Sequence, residues 1–176
     1  MKYPAARNNA VVPGFVLVLL ALFAASLVLV PQQARAFEPE AKVAYHADFA
    51  DPRRFSAMLT SINNMVTHYE REFIEADVRI VFVSHGIRFI ADDDLEDTPF
   101  EADEELLEER ERLQSRLRTL ANTYGVTLEL CDITRGDIGL PEEDLMDGVD
   151  IELVPSGVVR LTELQNDEGF AYLKIE

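Results

Sequence analysis

The sequence predicts an α/β fold in which a largely parallel sheet carries helices on both faces. Three observations predict it. Short β-branched runs alternate with segments of helical period along the chain. The run Val78 to Val83 is apolar almost throughout, as a strand buried on both faces must be. Proline or glycine stands at the helix junctions, at Pro52, Gly125, Pro155 and Gly169.

Taken in order, Lys42 to Ala47 reads as the first strand. Asp51 followed by Pro52 is an N-cap with a first-turn proline. The helix it opens carries Phe55, Met58, Leu59, Ile62, Met65, Val66, Tyr69 and Phe73 at spacings of three and four, one apolar stripe. Val78 to Val83 is the second strand, ended by Ser84-His85-Gly86. Asp92 to Glu105 is acidic, loses periodicity around Pro99 and reads as a solvated loop insertion. Glu104 to Tyr124 is helical again, with Leu106, Leu113, Leu117, Leu120, Ala121 and Tyr124 inward and an i,i+4 pair from Glu108 to Arg112 outside. Gly125 stops it. Val126 to Cys131 is the third strand, Pro141 to Met146 one or two helical turns, and Ile151 to Val154 the fourth strand. Pro155-Ser156-Gly157 starts a last helix with Val158, Leu161 and Leu164 inward, and Phe170 to Ile175 closes the sheet. The resulting order, βαβαβαβαβ, places ligands beyond the carboxyl ends of the strands.

The first 36 of 176 residues read differently. Lys2 and Arg7 precede an apolar run from Val11 to Val30, Pro31 breaks it, and Ala34-Arg35-Ala36 forms a small-x-small site. This is the layout of a secretory signal peptide, with the mature domain spanning residues 37–176 and a periplasmic location expected. The alternative is an uncleaved anchor, since the run approaches the roughly 20 residues that span a bilayer; contact with a membrane is expected only in that case. Removing the leader leaves thirteen bases against thirty-three acids, a net charge near −20. Such a surface repels nucleic acid and anionic membranes.

Cys131 is the only cysteine, so no intrachain disulfide is available. It ends the third strand, on the edge where this fold places its sites. Composition alone reads it as a small buried hydrophobe; as a thiolate it would be a nucleophile, with Arg135 or a histidine to stabilise the charge. His85 and His46 stand at the ends of the second and first strands and complete a candidate cluster. Ser156 and Gly157 offer free backbone N–H groups at a helix start. Asn64 is polar in a helix otherwise set for burial. The spacing of these residues matches no metal-ligand pattern, Asp92 to Asp94 lack the spaced calcium pattern, and no glycine-rich nucleotide cradle is present. Neither a metal nor a cofactor is expected.

Several segments, in order, resemble the DsrE/DsrF-like family in its exported branch: Lys42-Val43-Ala44-Tyr45-His46, Leu59 to Asn64, Val81 to Gly86, Cys131-Asp132-Ile133-Thr134, Val154 to Val158, and Gly169 to Tyr172. The resemblance implies a three-layer α/β/α fold with a parallel five-stranded sheet. It also implies homo-oligomers, trimers or hexamers, and a cysteine that carries sulfur as a persulfide between a donor and an acceptor protein. Cys131 falls at the position of that cysteine, and His85 and Asn64 at positions the family often keeps. The expected role is a sulfur carrier rather than a true catalyst. The alternative is a non-catalytic oligomeric module that binds a small ligand and keeps Cys131 buried.

Overall fold

The computed structural model describes residues 38–176; the expected leader lies outside the described residues. Five strands form one all-parallel sheet in the order β4-β3-β2-β1-β5. They are β1 (Ala41–Ala47), β2 (Ala76–Phe82), β3 (Thr127–Cys131), β4 (Ile151–Val154) and β5 (Ala171–Leu173). Helices α1 (Pro52–Arg71), α2 (Glu104–Tyr124), α3 (Asp132–Asp137) and α4 (Gly157–Asn166) connect them. The α/β class and the five-stranded parallel sheet are as the sequence predicts.

Alternation along the strands divides the core in two. Val43, Tyr45, Val78, Ile80, Phe82, Leu128 and Leu130 face α1 and α2 in the larger cluster. Ala44 and Val81 face the other way, meeting Leu161 and Leu164 of α4 and Phe170 in a much smaller one. One layer therefore rests on two long helices and the other on a ten-residue helix.

Local chemistry explains the ends. The Asp51 carboxylate accepts from Arg53 N at 2.8 Å and Arg54 N at 3.3 Å, capping α1 as expected. Gly125 takes φ +69° at the end of α2, a conformation an L side chain disfavours. A Cβ on Gly86 would lie 2.0 Å from the Ala47 carbonyl oxygen, so the turn after β2 closes directly onto the backbone of β1.

Some details are absent from the sequence reading and others differ from it. The segment after β2 is a 3₁₀ turn from Ser84 to Phe89, and a short helix, α3, begins immediately after Cys131. Pro141 to Met146 contains only one 3₁₀ turn, Glu142–Asp144. Phe73 is 95% exposed, because α1 has already ended and Phe73 sits at φ +57°. Val158 points outward, because α4 has a narrow buried face made by Leu161 and Leu164. Arg112 pairs with Glu109 and not with Glu108. The acidic segment is fastened rather than solvated. Leu95 is buried, the buried Arg88 donates to Asp103 Oδ2 at 2.7 Å, and Arg110 donates to Asp94 Oδ1 at 2.5 Å. No helix of the described residues is long and apolar enough to cross a membrane.

Candidate functional site

Cys131 ends β3 and is the residue from which α3 starts. On β3, Thr127, Glu129 and Cys131 share the face that α4 covers. The connection out of β4 then brings the start of α4 over the end of β3. The contact is close: a Cβ on Gly157 would lie 3.1 Å from Cys131 Cβ and 2.5 Å from Val83 Cγ2. Glycine is thus the residue that lets an α4 amide reach the sulfur.

Two opposed effects act on the thiol. Burial raises its pKa, since Cys131 is only 4% exposed and its anion loses hydration. The backbone amide of Gly157, the amide and hydroxyl of Thr134, and the amide of Ile133 outweigh that and hold the pKa below the ordinary thiol value. The Ile133 and Thr134 amides belong to the first turn of α3, and Gly157 opens α4, so two helix starts converge on one sulfur. Thr134 is itself placed. Its hydroxyl oxygen accepts from Ser84 N at 3.1 Å. That leaves the hydroxyl proton free to point at the sulfur. Ser84 reaches this position at φ +53°, in the left-handed region.

Below the thiol lies a buried ionic cluster. Glu129 is fully buried, two residues before Cys131. It accepts from Arg79 Nη1 at 2.7 Å, from Arg160 Nε at 3.1 Å and 3.0 Å, and from Arg160 Nη2 at 3.1 Å. Arg160 lies on α4, so Glu129 ties that helix to the sheet one turn beyond Gly157.

The remaining candidates fall elsewhere. Register sets His46 level with Val81 and Glu129, short of Cys131 and two strands away. Its Nδ1 lies 3.0 Å from Tyr172 Oη of β5, and its Nε2 lies 3.9 Å from Asp48 Oδ2. Burial lowers the His46 pKa, against the raising effect of Asp48. His85 Nδ1 lies 3.3 Å from Ser84 Oγ, and its ring meets the edge of Phe100, which packs with the α1/α2 core. Arg135 is occupied by Asp132, at 2.6 Å and 2.9 Å, and by the Leu140 carbonyl at 2.7 Å. Asn64 is exposed on α1. Ser156 is the N-cap of α4 without a side-chain capping bond. The structure thus brings Gly157 to Cys131, adds Thr134 and Ile133, and engages Arg135 and both histidines with other groups. Thr134 had a local signal, a hydroxyl three residues after a potential N-cap; Glu129 had none, being one acid in an otherwise apolar strand. Among the described residues, no three histidine, cysteine or carboxylate side chains group as a metal site.

The surface around the thiol is aliphatic. Ile133, Val158 and Val159 are each more than half exposed, and they neighbour in sequence the amides that face the sulfur.

No curated protein matches the chain. Among solved structures it is similar to a protein of unknown function from Methanobacterium thermoautotrophicum. The two share 23% identity and a TM-score of 0.56, over 77% of this chain and 99% of the other. It is also similar to the ychN protein from E. coli, with 19% identity and a TM-score of 0.50 over 77% and 99% of the respective chains. Both likenesses concern the fold. The sequence matches the DsrE/DsrF-like family over residues 43–175, nearly the whole described domain, and the chain belongs to that family.

Proposed function

We propose that this protein is a periplasmic sulfane-sulfur carrier in which Cys131 accepts sulfur as a persulfide and passes it on. The observation that carries the reading is the thiol at the carboxyl end of β3, facing the amides of two helix starts with its pKa held down. Membership of the DsrE/DsrF-like family supports a role of the sulfur-relay type.

In the loading step, the Cys131 thiolate attacks the terminal sulfur of a donor persulfide. A new S–S bond forms at Cys131 and the donor leaves as its thiolate. In the unloading step, an acceptor thiolate attacks the outer sulfur and Cys131 leaves as the thiolate. The amides of Gly157, Thr134 and Ile133 favour the anion at the start of the first step and the end of the second. No net oxidant or reductant is needed. The carrier is exported by its leader and works as a homo-oligomer, a trimer or hexamer, exchanging sulfur with donor and acceptor proteins.

The mature chain is incubated with a low-molecular-weight persulfide and weighed by mass spectrometry. Addition of one sulfur atom, absent in Cys131→Ser, is the expected result; no addition, or addition that survives the substitution, refutes the carrier. A second reading is favoured by the burial of Cys131: a non-catalytic oligomeric module that binds a small ligand and keeps a structural thiol. Titration of the folded protein with a thiol reagent separates the two. A thiol silent until denaturation supports the module.

A further inference from the structure

A second feature lies on the opposite helical layer and is independent of Cys131. Helices α1 and α2 run side by side, and the groove between them is electrically divided. Near their starts it is acidic: a cleft of about 310 Å³ is lined by Glu105, Glu108 and Glu109 together with Arg53 and Arg112. Further along it becomes a cleft of about 280 Å³ lined by Leu59, Thr60, Asn63, Arg116, Thr119 and Leu120, with no acid.

Arg116 is the exceptional group there. Its α2 neighbours Arg112 and Arg118 pair with Glu109 and Glu111. Arg116 pairs with no carboxylate of the described residues, in a chain of 33 acids and 16 bases. Its Nη1 donates to Ser56 Oγ at 2.7 Å, and its Nη2 donates to the Ser56 carbonyl at 3.1 Å and to Thr60 Oγ1 at 2.8 Å. Every one of these acceptors is neutral. A guanidinium has five N–H donors, so two remain beyond these three bonds. The charge is half-buried, and burial, with Arg112 beside it, lowers its pKa. A cation held on neutral acceptors, without a counter-ion, is a place where an anion gains a charge-assisted bond without displacing an internal partner.

We propose that this cleft binds a short-chain carboxylate, with its carboxylate on Arg116 and its apolar tail against Leu59 and Leu120. The Asn63 amide supplies a further N–H donor at the rim, where the Thr119 hydroxyl is already bonded to the Ser115 carbonyl. The apolar lining is two leucines, which cover a tail of only a few carbons. The protein's net negative charge does not forbid this, because exposed charges are screened within about 8 Å at physiological salt and the cleft itself carries no acid.

The full chain is titrated with butyrate at constant ionic strength and followed by amide chemical shifts, in parallel with sulfate. Saturable shifts in residues 59–63 and 116–120 with butyrate are expected, with at least tenfold weaker binding in Arg116→Gln. Asn63→Asp, at an exposed position, places an acid in the cleft without removing the guanidinium and is expected to weaken binding similarly, so the test survives if Arg116→Gln fails to fold. Absence of saturable shifts, butyrate affinity unchanged in the variants, or sulfate binding as tightly as butyrate would each overturn the proposal. None of these outcomes depends on Cys131 carrying sulfur.

Discussion

At the residue scale, the thiol is governed by competition between burial and oriented amides, and each can be varied. Thr134→Val removes one donor to the sulfur and the acceptor for Ser84 N. The thiol pKa is expected to rise, read from the ultraviolet absorbance of the thiolate against pH, and stability to fall by about 1–3 kcal/mol for the orphaned amide. An unchanged thiol titration would show that Thr134 does not act on the sulfur. Gly157→Ala tests the close approach from the other side. Its Cβ would meet Val83 Cγ2 at 2.5 Å and Cys131 Cβ at 3.1 Å. Overpacking of this kind costs about 1–3 kcal/mol, and moving the α4 amide away is expected to raise the thiol pKa as well. A depressed thiol pKa also has a stability consequence of definite sign. The stabilisation is complete above the unfolded thiol pKa, about 8.5, and is lost as pH falls through the lower folded value.

At the element scale, the two layers are held by different means. Helices α1 and α2 bury long apolar stripes, whereas α4 has a small apolar cluster and the Arg160–Glu129 bonds. Removing Glu129 leaves Arg79 paired with Asp77 and Arg160 with Glu168, so the cost is that of the lost charge-assisted bonds, about 1.5–3 kcal/mol. Glu129→Ala is expected to lose an amount in that range in urea unfolding; a loss below about 1 kcal/mol would mean that the arginines find water easily. Strand β5 is secured differently again. Its three residues are exposed, and it docks through Tyr172 Oη on His46 and through Lys174 on Asp48 at 2.8 Å. Burial depresses the His46 pKa, so neutral His46 stabilises the fold above its unfolded pKa, about 6.5. That contribution is lost as pH falls through the folded value. The protection factors of the Ala171–Leu173 amides, referred to the intrinsic exchange rate at each pH, are therefore expected to fall between neutral and mildly acidic pH. His46→Gln should abolish this pH dependence; a dependence that persists would assign it to another group.

At the scale of the whole molecule, charge dominates. A formal net charge of −17 makes the compact state repel itself. Added sodium chloride is expected to raise the unfolding temperature by screening that repulsion. A fall on adding salt would mean that the surface ion pairs outweigh it. The proposed assembly belongs to this scale too. Light scattering behind size exclusion is expected to return a trimer or hexamer, with its population rising with salt. A monomer at all concentrations would remove the oligomer from the reading.

Much of the fold was legible in the sequence because its signals are local. The Asp51-Pro52 start, the stripe of α1 and the αL stop at Gly125 depend on residues within a few positions of one another. So does the apolar β2, whose composition already implied a sheet covered on both faces. The end of α1 before Phe73 and the outward turn of Val158 were misread because periodicity continues in the letters after the packing partner has ended. For the site, the sequence by itself determined that one thiol stands at the carboxyl end of a strand. Which groups meet that thiol was decided by strand order and register. The order β4-β3-β2-β1-β5 carries Gly157 to Cys131 from the next βα unit and leaves His46 two strands away. Those are distances across a sheet, set by hydrogen-bond pairing between segments far apart in the chain, and no local pattern encodes them.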